Sequence, residues 1–501
     1  MNDNIKNVKE NTLGKDSLLL TISNFMVSVI GIITSMLLAR FRTLSEYGTY
    51  HQIISITDLV STIFLLGLPS SVNYFLANSD TEEEKQKFLT LYLVLSTIIT
   101  AVIGMCLFLS IPLIVSYYNN PYISTFAYIF AVYPWASIVI NSLSNVCVVY
   151  KKSNKLIIFN IVHVLVNLII LIISQILKLG FQIYTALYIF SMLIFAIFSL
   201  CWMIKIVGKL NFSFSWNFIK DIFIYAIPIG LSSAVGTLNG ELDKLLIGRF
   251  FTTEEYSIYV NASKVLPVTI LATSLTTVLL PKFIELLKNN KTDKVISIWG
   301  SSINISFGII CLIVGGLIVF APDVMSLFYS QKYITESGVA VFRIYTLIIL
   351  FRATYWGIIL NAMGKTKFIF FSSIATLILN CIGNIAFYYL FDFLGPALSS
   401  LMSKAVISFF QLIITCKLLK VSIIKIFPWK QIGIFLLQTI LIGSLFYILK
   451  VKLLGGFTSD YSIIISIILG IIWSVIYLLI NIKIFKYNWS MLNEAPDAAE
   501  K

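Results

Sequence analysis

Long apolar segments separated by short polar turns occupy the chain from Ser17 to Tyr487. Each segment has about twenty residues or more, the length at which a helix crosses roughly 30 Å of hydrocarbon. A helix also satisfies its own peptide groups, as lipid requires. The pattern predicts an all-α polytopic membrane protein with about fourteen transmembrane helices, at 17–39, 49–76, 88–111, 122–148, 156–177, 182–204, 222–248, 257–281, 296–321, 335–361, 368–391, 394–416, 431–449 and 460–482.

A repeated segment indicates how these helices are grouped. The stretch Arg40–Tyr50 aligns without gaps on Arg249–Tyr259, with six of eleven positions identical. Both copies follow the first helix of a six-helix set, as expected of two lobes related by a parallel repeat. We expect an N-terminal six-helix lobe at 1–207, an inter-lobe linker at 208–221, a C-terminal six-helix lobe at 222–417, an additional helix pair at 418–487 and a polar tail at 488–501.

Composition and charge agree with a membrane protein. The chain is 58% hydrophobic and only 12% charged, and its mean hydropathy is +0.93. A net charge of +13 could indicate nucleic acid, but most of the Lys and Arg residues lie in alternate connections, as the positive-inside rule requires. This distribution predicts that both termini are cytoplasmic and gives no reason to expect a nucleic-acid partner.

The sequence offers little for catalysis. The chain has only two histidines and lacks HExxH, Cys-x-x-Cys and nucleophile-elbow motifs. Gly364-Lys365-Thr366 resembles the end of a phosphate loop, but Ile359 stands where that loop needs its first glycine. The six cysteines lie inside apolar spans without metal-ligand spacing. We therefore predict a protein that is not an enzyme and has no resident cofactor.

Charged side chains inside the spans are the most informative residues. A charge at the bilayer centre costs at least about 2.5 to 3.5 kcal/mol, so such residues normally face a cavity or another helix. Arg352 and Lys404, deep in their spans, are the leading candidates for a cavity lining. All of these charges except Asp58 belong to the C-terminal six-helix lobe. The charged residues inside the spans are the cations Lys244, Lys264, Arg343, Arg352 and Lys404 and the acids Asp58, Glu241 and Asp243.

Several of these residues have a structural alternative. Glu241 and Lys244 are spaced to form an ion pair within one helix. Lys264, near a helix end, can extend its ammonium group to the interface instead of lining a cavity. The in-span amides either bond neighbouring helices or contact sugar hydroxyls, and they are Asn141, Asn145, Asn160, Asn167, Asn380 and Asn384.

The helix grouping and two motifs together resemble a known family. The turn Arg40–Tyr50, with Tyr47-Gly48 as its clearest part, and the helix start Gly395–Ser403 are similar to segments of polysaccharide flippases of the MOP superfamily. The resemblance covers nearly the whole chain. It implies a bacterial plasma-membrane protein that moves an undecaprenyl-diphosphate-linked oligosaccharide, the precursor of a cell-surface polysaccharide or teichoic acid, from the inner to the outer leaflet by alternating access. An ion gradient or the membrane potential would drive this transport. The implied partners are membrane lipids and polysaccharide polymerase or assembly proteins.

The charged residues fit that cargo. A diphosphate headgroup would be attracted by cations in a hydrated cavity while the polyprenyl tail stays in lipid. The expected headgroup residues are Arg352 and Lys404, followed by Lys264, Arg343 and Lys244. Related lipid II flippases have a sodium site on the seventh helix, where Asn239 and Asp243 share one face here, and Glu241 or Asp58 could instead carry a proton.

Three other functions remain open from the sequence. A multidrug cation extruder of the same superfamily resembles the twelve-helix core, but the extra helix pair and the basic in-span residues argue against it. A non-transport scaffold for polymer assembly would bind a synthase without moving any lipid between the leaflets. A membrane glycosyltransferase would need a large acidic soluble loop, which the sequence between these spans lacks.

Overall fold

The computed structural model describes residues 26–213, 215–264, 270–454 and 459–493, and every regular element in these ranges is a helix. The predicted all-α class is confirmed. Residues 17–25 of the first predicted span, 265–269 of the eighth and 494–501 of the polar tail lie outside the described residues. The helices are α1 Met26–Phe41, α2 Leu44–Phe64, α3 Leu68–Asn78, α4 Glu82–Leu109, α5 Ile111–Tyr118, α6 Ala127–Val149, α7 Ser153–Ile176, α8 Phe181–Val207, α9 Trp216–Phe250, α10 Thr253–Ala262, α11 Ile270–Lys288, α12 Thr292–Val319, α13 Ala321–Phe328, α14 Glu336–Ile348, α15 Ile358–Ala362, α16 Thr366–Phe391, α17 Gly395–Leu419, α18 Ile423–Ile426, α19 Trp429–Leu454 and α20 Ser459–Asn493.

The number of membrane-spanning helices is lower than the predicted number when judged by length and hydropathy. Within the described ranges, nine helical stretches are long and apolar enough to cross a membrane, or ten if the bent pair α2–α3 is one span. The predicted count of about fourteen is therefore not confirmed. Two features of the structure contribute to the lower number. The tenth predicted span is divided into α14, a 3₁₀ helix and α15, and α16 and α17 are counted as one apolar stretch, Thr366–Leu419.

Packing divides the chain into two compact units. Unit 1 comprises residues 1–241 and 248–257, and unit 2 comprises residues 242–247 and 258–501, so the long helix α9 contributes to both. The sequence places the division between lobes at the 208–221 linker, and those lobe boundaries stay a prediction.

Unit 1 has its own apolar core. Helices α3, α4, α6 and α8 pack around a cluster that includes Phe88, Leu143 and Met203, each with no exposed surface. Burying such side chains between helices fixes the helix faces that point away from this core. Those outward faces carry the polar residues described below.

A sharp bend separates α2 from α3 in unit 1. The two helices meet at 49°, and both Leu66 and Gly67 have positive φ at the bend. Gly230 of α9 lies against this turn so closely that a Cβ atom on Gly230 would be 2.1 Å from the carbonyl carbon of Leu66. Because these neighbours are backbone atoms, they cannot move aside as a flexible side chain would.

We expect Gly230→Ala to destabilise the protein by roughly 1 to 3 kcal/mol or more, as overpacking against rigid neighbours does. The measurement is the thermal unfolding midpoint of the protein purified in detergent. Gly236→Ala on the same helix is the matched control, since a Cβ there meets nothing within 4 Å. Equal midpoints for the two variants would show that the close approach at Gly230 does not limit stability.

In unit 2 the last two helices are attached to α12 by aromatic side chains. Trp473 of α20 donates its indole N–H to the Leu312 carbonyl at 2.9 Å, and its ring lies against Gly315. Phe485 similarly lies against Gly308, where a Cβ would be 2.6 Å from the ring. Small residues on α12 therefore form the surface that receives α19 and α20.

The repeated segment forms the same local structure twice. Thr43 caps α2 by accepting a hydrogen bond from the backbone N–H of Glu46, whose carboxylate accepts one from Thr43 N–H. Thr252 and Glu255 make the same reciprocal pair at α10, at 2.9 and 3.2 Å. Both copies are thus capping boxes that start the second helix of a set.

Candidate functional site

Arg352 and Lys404 form a cationic pair in unit 2. Arg352 ends the 3₁₀ helix Ile349–Arg352 and is exposed, whereas Lys404 lies half-buried on α17. The two side chains are close enough for their charges to interact. Among the described residues, no carboxylate forms an ion pair with either of them. Two adjacent positive charges without an acidic partner favour the binding of an anion.

The backbone around Arg352 is held in place although it is not α-helical. The Phe351 carbonyl accepts a hydrogen bond from the Trp356 indole at 2.7 Å, and the Ala353 carbonyl accepts one from the Ser306 hydroxyl at 2.5 Å. Irregular backbone at membrane depth persists only when its polar groups find such partners. The break therefore positions Arg352 on a fixed segment, and hydropathy gave no indication of it.

The other three predicted headgroup cations have different surroundings. Arg343 donates through Nε to the Ile318 carbonyl near the end of α12 at 3.2 Å, an interaction that stabilises a helix C-terminus. Lys264 bonds the Asn261 side chain at 3.2 Å and lines a cavity of about 10 Å³, enough for about one water. Lys244 is half-buried, and its charge acts on Lys264.

Asp243, a predicted ion ligand, is buried in unit 2. It is 2% exposed and accepts a hydrogen bond from the Tyr259 hydroxyl at 3.2 Å. The Tyr259 hydroxyl also lies 3.4 Å from that of Tyr345. Asn239 belongs to unit 1 and is half-buried. Within the described residues no group of three or more His, Cys, Asp or Glu side chains could hold a metal ion.

A pair of carboxylates occurs in unit 1. Glu241 accepts a hydrogen bond from Ser55 at 2.5 Å. Its carboxylate is close enough to that of Asp58 for the two charges to interact, and the Tyr133 hydroxyl lies near Asp58. The sequence assigned Glu241 to the C-terminal set and Asp58 to the N-terminal set, but packing places both in unit 1. Ser55 and Tyr133 were missed, although Ser55 precedes Asp58 by one helical turn.

The in-span amides fall into two groups. Asn167 accepts a hydrogen bond from Ser191 at 3.1 Å, and Asn380 accepts one from Ser399 at 3.0 Å, so both bond neighbouring helices. Asn141 is instead exposed on α6. Asn167 and Asn380 therefore join neighbouring helices, whereas the amide of Asn141 is accessible to a ligand.

Comparison with known proteins places these features in a family. Residues 13–287, more than half of the chain, match the family model described as polysaccharide biosynthesis protein. Two curated relatives are the capsular polysaccharide biosynthesis protein CapF of Staphylococcus aureus, 25% identical over 40% of this chain and 52% of CapF, and the probable low-salt glycan biosynthesis flippase Agl15 of Haloferax volcanii, 21% identical over 57% of this chain and 59% of Agl15. The chain thus spans little more than half the length of either relative.

Solved structures show the same fold. An inward closed structure of the lipid II flippase MurJ matches with a TM-score of 0.73 and 18% identity, over 93% of this chain and 99% of MurJ. An inward-facing multidrug resistance MATE transporter of the MOP superfamily matches with a TM-score of 0.60 and 14% identity, over 79% of this chain and 96% of the transporter. The chain therefore belongs to the polysaccharide biosynthesis protein family and has the fold of the MOP superfamily of membrane transporters.

Proposed function

We propose that the protein is a flippase that moves an undecaprenyl-diphosphate-linked oligosaccharide from the inner to the outer leaflet by alternating access. The observation that carries this proposal is the Arg352–Lys404 pair, two neighbouring cations that form no ion pair with a carboxylate among the described residues. A diphosphate supplies the negative charge that balances these two cations. In addition, an arginine can bind phosphate oxygens with two parallel hydrogen bonds. The names of Agl15 and MurJ as flippases support the same conclusion.

The surroundings of the remaining cations give them supporting roles in this proposal. Arg343 and Lys264 already bond protein groups, so they would act on the headgroup through the local positive potential rather than by direct contact. Lys244 would add to that potential. Arg352 is the most accessible of the five cations, because its side chain is exposed and the other four are half-buried.

Transport against a gradient needs an energy source, and the Asp58–Glu241 pair is the proposed coupling site. Two neighbouring carboxylates repel each other, and a proton or a sodium ion between them offsets that repulsion. Ser55 orients the Glu241 carboxylate by a hydrogen bond, and the Tyr133 hydroxyl lies near the Asp58 carboxylate. Asp243, with Asn239, is the second candidate, although Tyr259 bonds its carboxylate.

The proposed cellular setting follows from the same reasoning. The protein would lie in the bacterial plasma membrane with both termini cytoplasmic, since that orientation places most lysines inside. Its partners would be lipid-linked glycans, membrane lipids and the polymerase or assembly proteins that use the exported glycan. Its own role would be transport without bond chemistry.

A vesicle assay tests this function. The purified protein is reconstituted with undecaprenyl-diphospho-N-acetylglucosamine, and exposure of the sugar is followed by membrane-impermeant periodate. We expect transfer at least about tenfold faster than in protein-free vesicles, equivalent to about 1.4 kcal/mol of barrier, and faster still under an imposed proton or sodium gradient. Binding of the probe without any transfer would favour the scaffold function. Transfer that is unchanged by either gradient would exclude ion coupling.

A further inference from the structure

One face of α6 carries polar side chains along most of its length. Tyr133, Ser137, Asn141 and Asn145 follow one another at four-residue intervals, so they lie on the same side of the helix. Twelve residues of helix correspond to a stripe of about 18 Å. Asn141 is exposed and the other three are half-buried.

Residues of α2 and α3 meet this stripe at both ends. The Tyr133 hydroxyl lies near the carboxylate of Asp58, and Asn73 donates a hydrogen bond to Asn145 at 3.2 Å. Both Asp58 and Asn73 are exposed. We call the surface formed by these six residues the polar face of unit 1.

An aromatic pair borders the polar face. Tyr74 follows Asn73 in the chain and is 45% exposed. Its ring stacks on that of Tyr225 of α9, with centroids 4.1 Å apart and an angle of 18° between the planes. The stacking holds Tyr74 in one orientation, so its exposed ring surface is a fixed apolar platform.

The polar face is unlike a lipid-facing surface and unlike a phosphate site. Exposed carboxylate and amide groups are costly in hydrocarbon, which indicates that this face contacts water. Among the described residues, no Lys or Arg side chain bonds any of its six members. Asp58 and the neighbouring Glu241 make its charge negative, which disfavours a diphosphate.

We propose that the polar face of unit 1 binds the glycan of the lipid-linked substrate, an inference that rests on the proposed flippase function. Sugar hydroxyls donate and accept hydrogen bonds, and side-chain amides do both as well. A carboxylate accepts from two neighbouring hydroxyls, and the apolar C–H face of a sugar packs on an exposed tyrosine ring. The negative charge selects uncharged or N-acetylated sugars over acidic ones.

The test compares two probes on the full-length protein in lipid nanodiscs. The probes are undecaprenyl diphosphate and undecaprenyl-diphospho-N-acetylglucosamine, and the measured quantity is the ratio of their dissociation constants. We expect the wild type to bind the glycosylated probe about tenfold more tightly, as one or two net hydrogen bonds would give. The double variant Asn73→Ala/Asn141→Ala should bring the ratio close to one and leave the affinity for undecaprenyl diphosphate unchanged.

Asn160→Ala is the matched control, because it removes a half-buried amide from α7, outside the polar face. If the double variant does not fold, Asn141→Ala alone gives the same readout at an exposed position. A wild type that binds both probes equally, or a variant that keeps the tenfold ratio, would overturn the glycan assignment. Arg352→Gln should weaken the binding of both probes by the same factor. If this variant alone binds both probes as tightly as the wild type, the result would count against the diphosphate site and not against the polar face of unit 1.

Discussion

Replacing Arg352 and Lys404 together by glutamine should reduce transfer of undecaprenyl-diphospho-N-acetylglucosamine in vesicles by roughly 100-fold or more. Each charge-assisted hydrogen bond is worth about 1.5 to 3 kcal/mol, and about 1.4 kcal/mol is a factor of ten. Glutamine removes the positive charge and shortens the side chain, but it keeps an amide group that can donate hydrogen bonds. The loss should appear in binding of the probe as well as in its transfer rate.

The single variants separate the contribution of positive charge from the contribution of side-chain geometry. Arg352→Lys retains the positive charge but loses the planar guanidinium that binds two phosphate oxygens, so we expect an intermediate loss. Lys404→Arg should keep most of the activity, because the half-buried side chain mainly supplies charge. A larger loss for Lys404→Arg than for Arg352→Lys would reverse the roles assigned to the two residues.

Lys367→Gln is the control for the loss of a positive charge in the same unit. Lys367 is exposed at the start of α16. The substitution should change the transfer rate less than about twofold, since an exposed charge away from a site contributes little to binding. Full transfer by the Arg352→Gln/Lys404→Gln variant, with wild-type probe affinity, would remove the headgroup proposal.

Asp323→Asn should destabilise the protein by about 3 to 5 kcal/mol, because it leaves the ammonium group of Lys450 without its counter-charge in a buried place. The two side chains form an ion pair and expose only 10% and 13% of their surfaces. Ser462 also donates to the Asp323 carboxylate, at 2.6 Å. This cluster links α13 to both α19 and α20, so the helix pair should loosen first.

The measurement is the thermal unfolding midpoint of the purified protein. The double variant Asp323→Leu/Lys450→Met should recover most of the loss, since an apolar pair of similar size often replaces a buried ion pair at little cost. Lys425→Met is the matched control, because it breaks an ion pair with Asp293 whose partners are 67% and 86% exposed; it should cost less than about 1 kcal/mol. Equal effects of Asp323→Asn and Lys425→Met would contradict the role of burial.

The candidate site was only partly predictable. A charge inside an apolar span is costly wherever it points, so Arg352 and Lys404 could be recognised from the sequence. Their proximity depends on the break after α14, and that break is stabilised by Ser306 and Trp356. The roles of such partners are not visible in a hydropathy pattern. Arg343 shows the same limit, since the helix end that it bonds is 25 residues away in sequence.

The sequence by itself determined the all-helical membrane architecture, because the length of apolar segments and the need to satisfy peptide groups in lipid leave no other structure. The repeated segment was also visible in the sequence, whereas its two capping boxes, Thr43–Glu46 and Thr252–Glu255, were recognised in the structure. Only the tertiary structure decided that the carboxylates of Glu241 and Asp58 are neighbours. It also decided that residues of α2, α3 and α6 form the polar face of unit 1, bordered by a tyrosine pair from α3 and α9. These contacts join residues far apart in the chain, and helix packing, not local pattern, sets which faces meet.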